Sequence, residues 1–186
     1  MSNQFPVHDA NTAPEASKAA LEATAKKYGF VPNLYGVFAA SPAAIETYGA
    51  IAEQFGKSGL NPVEQQVVLL TISYENNCHY CMAAHSVVAK MSGAEADVIE
   101  ALRTGAPLTD AKLEALRTFA RAVVDKRGEV AEDLPAFLAA GYTPSHALDV
   151  LVGNALKTLS NYTNHLAETP VDPQFAEMAW DPASKR

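Results

Sequence analysis

The sequence predicts an all-α fold, a single-domain helical bundle, and three features lead there. Helix starts and stops recur at short intervals, with Ser, Asn or Thr placed before Pro and Gly placed after apolar runs. Between these signals the apolar residues recur at spacings of three and four. No segment alternates apolar and polar residues as a half-buried strand does. A chain of 186 residues fits one domain, and it can bury roughly 70% of its unfolded surface without staples. The single domain is expected to span 1–186, with 1–12 and 179–186 flexible.

Thr12-Ala13-Pro14-Glu15 has capping-box spacing, so a helix is expected from there to Lys27, stopped by Gly29. Phe30 to Ala40 reads as a short apolar helix, and Ser41-Pro42 caps the next, which ends near Gly56 and Gly59. Asn61-Pro62-Val63-Glu64 opens another, with Asn as cap, Pro in the first turn and Glu near the positive end of the dipole. Its run Val67 to Ile72 also fits a buried strand, but the cap and the helical neighbours favour helix. Asn76-Asn77 ends it. A helix from about Cys78 to Met91 stops at Ser92-Gly93, and Ser92 is expected to cap the next, through Arg103. After the turn at Gly105-Ala106-Pro107 comes an amphipathic helix, Asp110 to Lys126, with Leu113, Leu116, Phe119, Ala120 and Val123 on one side. Leu134 to Ala140 is short, Thr143-Pro144 begins the last long helix to about Ala167, and the chain is expected to fray beyond Pro170, after at most one turn near Asp172 to Met178.

Net charge is −7, from 14 Lys and Arg against 21 Asp and Glu, with no basic run, which argues against nucleic acid as a partner. No stretch of ~18 apolar residues exists to span a membrane. Met1 to Glu15 carries no apolar signal-peptide core, so the cytoplasm is the expected compartment. The charged fraction, 19%, is somewhat low and leaves room for a subunit interface. Both cysteines fall within four residues, Cys78 and Cys81. Such a pair closes no long loop, and it reads as redox or metal chemistry.

On a helix Cys81 lies about 300° and His85 about 700° from Cys78, so the three share a face. An imidazole four residues after Cys81 is expected to touch it and accept its proton, giving the thiolate that attacks. A sulfenic acid on one sulfur would be captured by the other as a disulfide.

The segment Tyr74-Glu75-Asn76-Asn77-Cys78-His79-Tyr80-Cys81-Met82-Ala83-Ala84-His85 resembles the active-site motif of the alkylhydroperoxidase D-like proteins, within the carboxymuconolactone decarboxylase superfamily. The preceding Asn61 to Val68 and the later Asn161 to Pro170 resemble the flanking helices of that group and of its peroxidase-related branch. The resemblance implies trimers or hexamers of a cofactor-free thiol peroxidase, acting on a hydroperoxide and reduced by a partner protein. It implies Cys81 as attacking thiolate, Cys78 as resolving thiol and His85 in a proton relay. Magnitudes agree on Cys81: a helix start is worth up to ~2 kcal/mol to the Cys78 thiolate, whereas an adjacent general base contributes about 100-fold or more, roughly 3 kcal/mol. One departure stands out. The relay glutamate of the family falls at Gln66, an amide that can orient His85 but cannot take a proton. Glu64 and Glu75 point about 180–200° away from it on the same helix.

Other readings compete. Cys78, Cys81 and His85 supply three zinc ligands, with His79, His146 or His165 as a fourth, though no second Cys-x-x-Cys exists. The cysteines could be buried and inert. His79 faces away from them, Tyr80 is expected to pack, His165 either approaches the pair or caps a helix, and Phe175 and Trp180 are expected to dock on the body or a neighbour. In function, the alternatives are a lactone decarboxylase or isomerase, with His85 moving the proton, and a non-enzymatic redox-sensing module.

Overall fold

The structure, a computed structural model, describes residues 4–184. Among the described residues all regular elements are helical. They are α1 (Glu15–Tyr28), α2 (Asn33–Phe38), α3 (Pro42–Gly56), α4 (Pro62–Glu75), α5 (His79–Met91), α6 (Ala96–Thr104), α7 (Ala111–Asp125), α8 (Leu134–Ala139) and α9 (Pro144–Ala167), followed by 3₁₀ turns at Pro173–Met178 and Pro182–Ser184. None is long and apolar enough to cross a membrane.

Helix α4 is the axis of the molecule, and it packs against α5, α7 and α9. Its start is firmly held: Asn61 Oδ1 accepts from the Val63 and Glu64 N–H groups, and Glu64 Oε2 accepts from the Asn61 N–H at 2.9 Å. This is a full capping box, worth about 1 kcal/mol or more. Every residue from Gln66 to Tyr74 is buried, so α4 is enclosed on all sides, and its apolar run Val67 to Ile72 also fits a strand for that reason. Glu64 serves twice, since its other oxygen meets Lys112 Nζ at 3.0 Å and the Tyr142 hydroxyl at 3.1 Å.

Helix α7 lays Leu116, Phe119, Ala120 and Val123 on α4 as expected. Phe119, Phe137 and Tyr142 stack in series at 4.3 and 4.5 Å, closing that end of the core. Helix α9 crosses α3 and α4 at Gly153, where an added Cβ would fall 2.9 Å from both Phe55 and Val68. Only a residue without a side chain permits that approach.

The structure corrects three local expectations. Thr12 makes no capping box: its hydroxyl accepts from the Asp9 N–H in a turn that precedes α1, and Pro14 is the cap position. Ser92 closes α5 and does not open α6, which starts at Ala96 after Glu95. Thr12 is claimed by the backbone of the preceding turn, and the Ser92 N–H by the last carbonyls of α5. Helix α2 is also shorter than the expected segment, because Pro32 sets its start.

The chain beyond Pro170 does not fray. Asp172 accepts from the Tyr80 hydroxyl at 2.5 Å and from the Asn33 N–H at 3.0 Å. Phe175 lies edge-on to Tyr80, and Trp180 Nε1 donates to Arg103 O at 2.8 Å. Arg103 in turn donates to the carbonyls of Met178 and Ala179. The segment has no helical periodicity to announce this, since its order comes from partners far away in sequence. Part of each expected flexible end, residues 1–3 and 185–186, lies outside the described residues.

Asp172→Ala strips an acceptor from a buried hydroxyl and a backbone N–H at once. It should cost about 2–4 kcal/mol in urea denaturation, with Tyr80 and the start of α5 loosened. A change of less than about 0.5 kcal/mol would show that the C-terminal segment does not support the fold.

Candidate active site

The turn between α4 and α5 sets the two sulfurs. Asn77 takes a left-handed conformation, φ 55°, which Asn tolerates better than most side chains. The turn delivers Cys78 to the cap position of α5, its N–H donating to Ser73 O at 3.0 Å. Cys78 is therefore extended, one residue before the helix, and Cys81 sits in its first turn. Both are buried and reduced. Asn164 of α9 donates from Nδ2 to both, at 3.2 Å to Cys81 Sγ and 3.7 Å to Cys78 Sγ. Ser160 Oγ lies 3.8 Å from Cys81 Sγ.

Residues 157, 160 and 164 share one face of α9 by helical spacing. The first is Lys157, fully buried, its Nζ met by no oxygen or nitrogen acceptor among the described residues. It acts on Cys81 first through its charge and then through a side-chain hydrogen bond to the sulfur. Burial by itself disfavours a Cys81 thiolate, but the hydrogen bond from Cys78, the Lys157 charge and Ser160 outweigh it, holding Cys81 well below the usual thiol range. The converse holds at Cys78, which is pushed up by its hydrogen bond to Cys81 and by burial. The pair thus splits into a thiolate at Cys81 and a thiol at Cys78 that donates to it.

His85 does not bond either sulfur among the described residues. Its Nδ1 lies 2.9 Å from Gln66 Oε1. A carboxamide oxygen only accepts, so Nδ1 carries the proton and Nε2 keeps its lone pair. Burial, reinforced by the Lys157 charge, depresses the imidazole well below its ordinary value, so it is neutral. The direct proton transfer from Cys81 to His85 expected from their spacing is thus replaced by a charge on another helix. Gln66 does take the orienting part that its chemistry allows.

Cys81 and His85 meet instead at the wall of a cavity of ≈ 450 Å³, which Cys78 does not line. Its other walls are mainly apolar and aromatic, among them Tyr35, Tyr48, Phe55, Leu69, Leu156 and Phe175. Tyr48 is buried beside the site, and its hydroxyl is kept protonated first by burial and then by the Cys81 charge. Glu64 and Glu75 point elsewhere, to Lys112 and Arg121.

The sequence reading brought together Cys78, Cys81, His85 and Gln66 and missed Lys157, Ser160, Asn164 and Tyr48. A signal for the α9 residues existed: Lys157, Ser160, Asn161 and Asn164 are polar residues at spacings of three and four in the middle of a long helix. His146 is spent capping α9 with Thr143, and His165 is exposed at its end. Among the described residues no group of three His, Cys, Asp or Glu side chains is placed to share a metal ion.

A protein of this kind, with a buried dithiol at a helix start inside a helical bundle, has known structural counterparts. A crystal structure of an alkylhydroperoxidase AhpD core, an uncharacterised peroxidase-related protein from Ralstonia eutropha, superposes with a TM-score of 0.83 at 23% identity, covering 94% of this chain and 95% of that one. An uncharacterised peroxidase-related protein from a Silicibacter species gives 0.78 at 20% identity, covering 92% of each. The debrominase Bmp8, in a complex with 2,3,4-tribromopyrrole, gives 0.76 at 15% identity, covering 96% of each. Residues 39–124 match the model of the carboxymuconolactone decarboxylase family. No curated protein matches the sequence. The match to the carboxymuconolactone decarboxylase family thus covers the middle of the chain, from the end of α2 to the end of α7, and the fold of the whole is of the alkylhydroperoxidase D-like type.

Because the folded His85 pKa is lowered from 6.5, the unfolded chain binds the extra proton first. The stabilisation is complete above pH 6.5 and is lost as pH falls below it. His85→Gln should remove that part of the acid destabilisation in urea melts from pH ~8 to ~5. Gln66→Glu should move the His85 titration upward in NMR, by pairing Nδ1 with a charge.

Proposed function

We propose that the protein is a thiol peroxidase, reducing hydroperoxides through Cys81, with Cys78 as resolving thiol and His85 and Gln66 orienting the substrate. The carrying observation is the split pair: the sulfur held as thiolate is the one that lines the cavity. The Cys81 sulfur attacks the terminal peroxide oxygen, an S–O bond forms, the O–O bond breaks, and the alkoxide leaves and takes up a proton. Cys78 then attacks the sulfenic sulfur, closing the disulfide and releasing water. A dithiol partner protein in a reducing compartment, for which we propose the cytoplasm, returns the two electrons. No cofactor is called for. The neutral His85 accepts the hydroperoxide O–H at Nε2, and the aromatic walls hold an apolar organic group.

One observation favours a second reading. The fold shared with a debrominase, together with an aromatic-walled cavity, suits a bromoarene. Two thiols could replace its bromine by hydrogen, with bromide, a proton and the disulfide as products. A lactone decarboxylase would leave the thiols untouched.

Self-association is the second part of this proposal. Leu148, Val152, Ala155, Leu159, Tyr162 and Leu166 recur along the outer face of α9 at spacings of four and three, the pattern of a helix that pairs with another helix. Leu148, Tyr162 and Leu166 are 64, 60 and 69% exposed, and the stripe contains no charge. A second copy is the partner that such a stripe fits, through a two-fold contact of the kind a hexamer of two trimers contains.

Cumene hydroperoxide should convert the reduced protein to an intramolecular disulfide. Cys78→Ser should accumulate a dimedone-reactive sulfenic acid on Cys81, and Cys81→Ser should lose peroxide consumption by about 100-fold or more. Equal labelling of the remaining sulfur in the two variants sinks the assignment. Bromide release from a bromopyrrole, with no peroxide turnover, favours the second reading. Light scattering at micromolar concentration should give a multiple of 19.8 kDa, reduced by Leu148→Glu with Leu166→Glu; a monomer mass overturns the self-association.

A further inference from the structure

We propose that Lys157 is the resident counter-charge of the Cys81 thiolate, and that closing the Cys78–Cys81 disulfide leaves this buried ammonium without an anion, so that the pair is poised towards its reduced form. The proposal deepens the thiol reading of the site.

Geometry carries it. Lys157 is fully buried, and its Nζ meets no oxygen or nitrogen acceptor among the described residues, Cys81 being the group it bears on. A lone buried ammonium is strongly disfavoured, so the side chain keeps its charge only with a compensating anion within a few ångströms. Lys157 lies on the face of α9 that presents Ser160 and Asn164 to the sulfurs. The titratable groups around Lys157 and Cys81 are Cys78 and His85 from α5 and its cap, which feel the Lys157 charge, and Tyr80 from α5 and Tyr48 from α3, which feel Cys81. None of these is a carboxylic acid, and the Cys78 thiol and both phenols are held protonated. The nearby carboxylates of α4 and α7 are committed elsewhere: Glu64 to Lys112, Glu75 to Arg121 and Glu114 to Arg117. Gln66, the position at which the related motif carries an acid, is neutral. Cys81 is therefore the anion available to Lys157.

Oxidation withdraws that anion. The step Cys78–SH plus Cys81–S⁻ to the disulfide gives up two electrons and one proton, which glutathione disulfide can accept as two glutathione molecules with one further proton from water. Whether Lys157 then stays charged or gives up its proton, the disulfide state carries a penalty that the dithiol lacks. Lys157 thus stabilises the reduced form, in the manner of strongly oxidising disulfides. In catalysis it acts through Cys81 as a positioning residue.

The test needs no peroxide, so its failure is distinct from failure of the peroxidase reading. In the Cys78→Ser protein, thiolate absorbance near 240 nm and iodoacetamide alkylation should both titrate below the ordinary thiol value of about 8.5. Adding Lys157→Met, an apolar side chain of similar length, should slow alkylation at pH ~7 by about ten-fold or more, with the rate recovered at alkaline pH. A purely structural role gives no such recovery. In the protein with both cysteines, Lys157→Met should shift the glutathione equilibrium at least about ten-fold towards the disulfide. An unchanged glutathione equilibrium in Lys157→Met overturns the proposal; should that variant fail to fold, the protein with Lys157 intact decides alone, and a Cys81 alkylation midpoint at or above that of a free thiol overturns it.

Discussion

Helix α4 has no solvent face between Gln66 and Tyr74, and a helix buried on all sides has to be enclosed by others. That constraint shapes the molecule. Helices α5, α7 and α9 supply the enclosure, Gly153 lets α9 come close enough to complete it, and the Asn61–Glu64 cap fixes where α4 begins. Because α4 is packed so completely, any polar group at its edges must find a partner within the protein. Gln66 finds His85, and Asn161 of α9 lies 3.5 Å from the Ser73 hydroxyl. The site forms at the seam where these obligations meet.

The electrostatics of the seam follow from the same burial. In a medium that disfavours charge, a cation and an anion persist only as a pair, and a neutral group stays neutral. His85 is neutral because it is buried beside a lysine; Cys81 is charged because it faces that lysine and accepts from Cys78. The two thiols differ by one helical turn in sequence, yet their protonation diverges. The helix start, which by itself favours Cys78, is the weaker influence here, as its modest magnitude suggests.

This arrangement also explains how a glutamine can stand at position 66. A carboxylate there would compete with Cys81 for the Lys157 charge and would hold a proton on His85. The amide does neither, while it still fixes the imidazole by one hydrogen bond. The C-terminal segment adds a further layer, tying Tyr80, the neighbour of Cys81, to Asp172 and Phe175, so that the start of α5 is held from two sides.

The sequence by itself determined the helical class, nearly all the helix positions, and the local half of the site. These are matters of spacing: caps act within four residues, apolar faces repeat every three or four, and Cys78, Cys81 and His85 lie within eight positions of one another. At Thr12 and Ser92 spacing could not choose the cap, because Thr12 bonds within the turn before α1 and Ser92 closes α5. Only the tertiary structure could place Lys157, Ser160 and Asn164 against the sulfurs, turn His85 towards Gln66, and hold the chain after Pro170. Each of these rests on contacts between residues far apart in the chain, and the charge state of Cys81 rests on a lysine seventy-six positions away. A coulombic interaction in a buried site depends on distance through space and on dielectric, and neither is written in local periodicity.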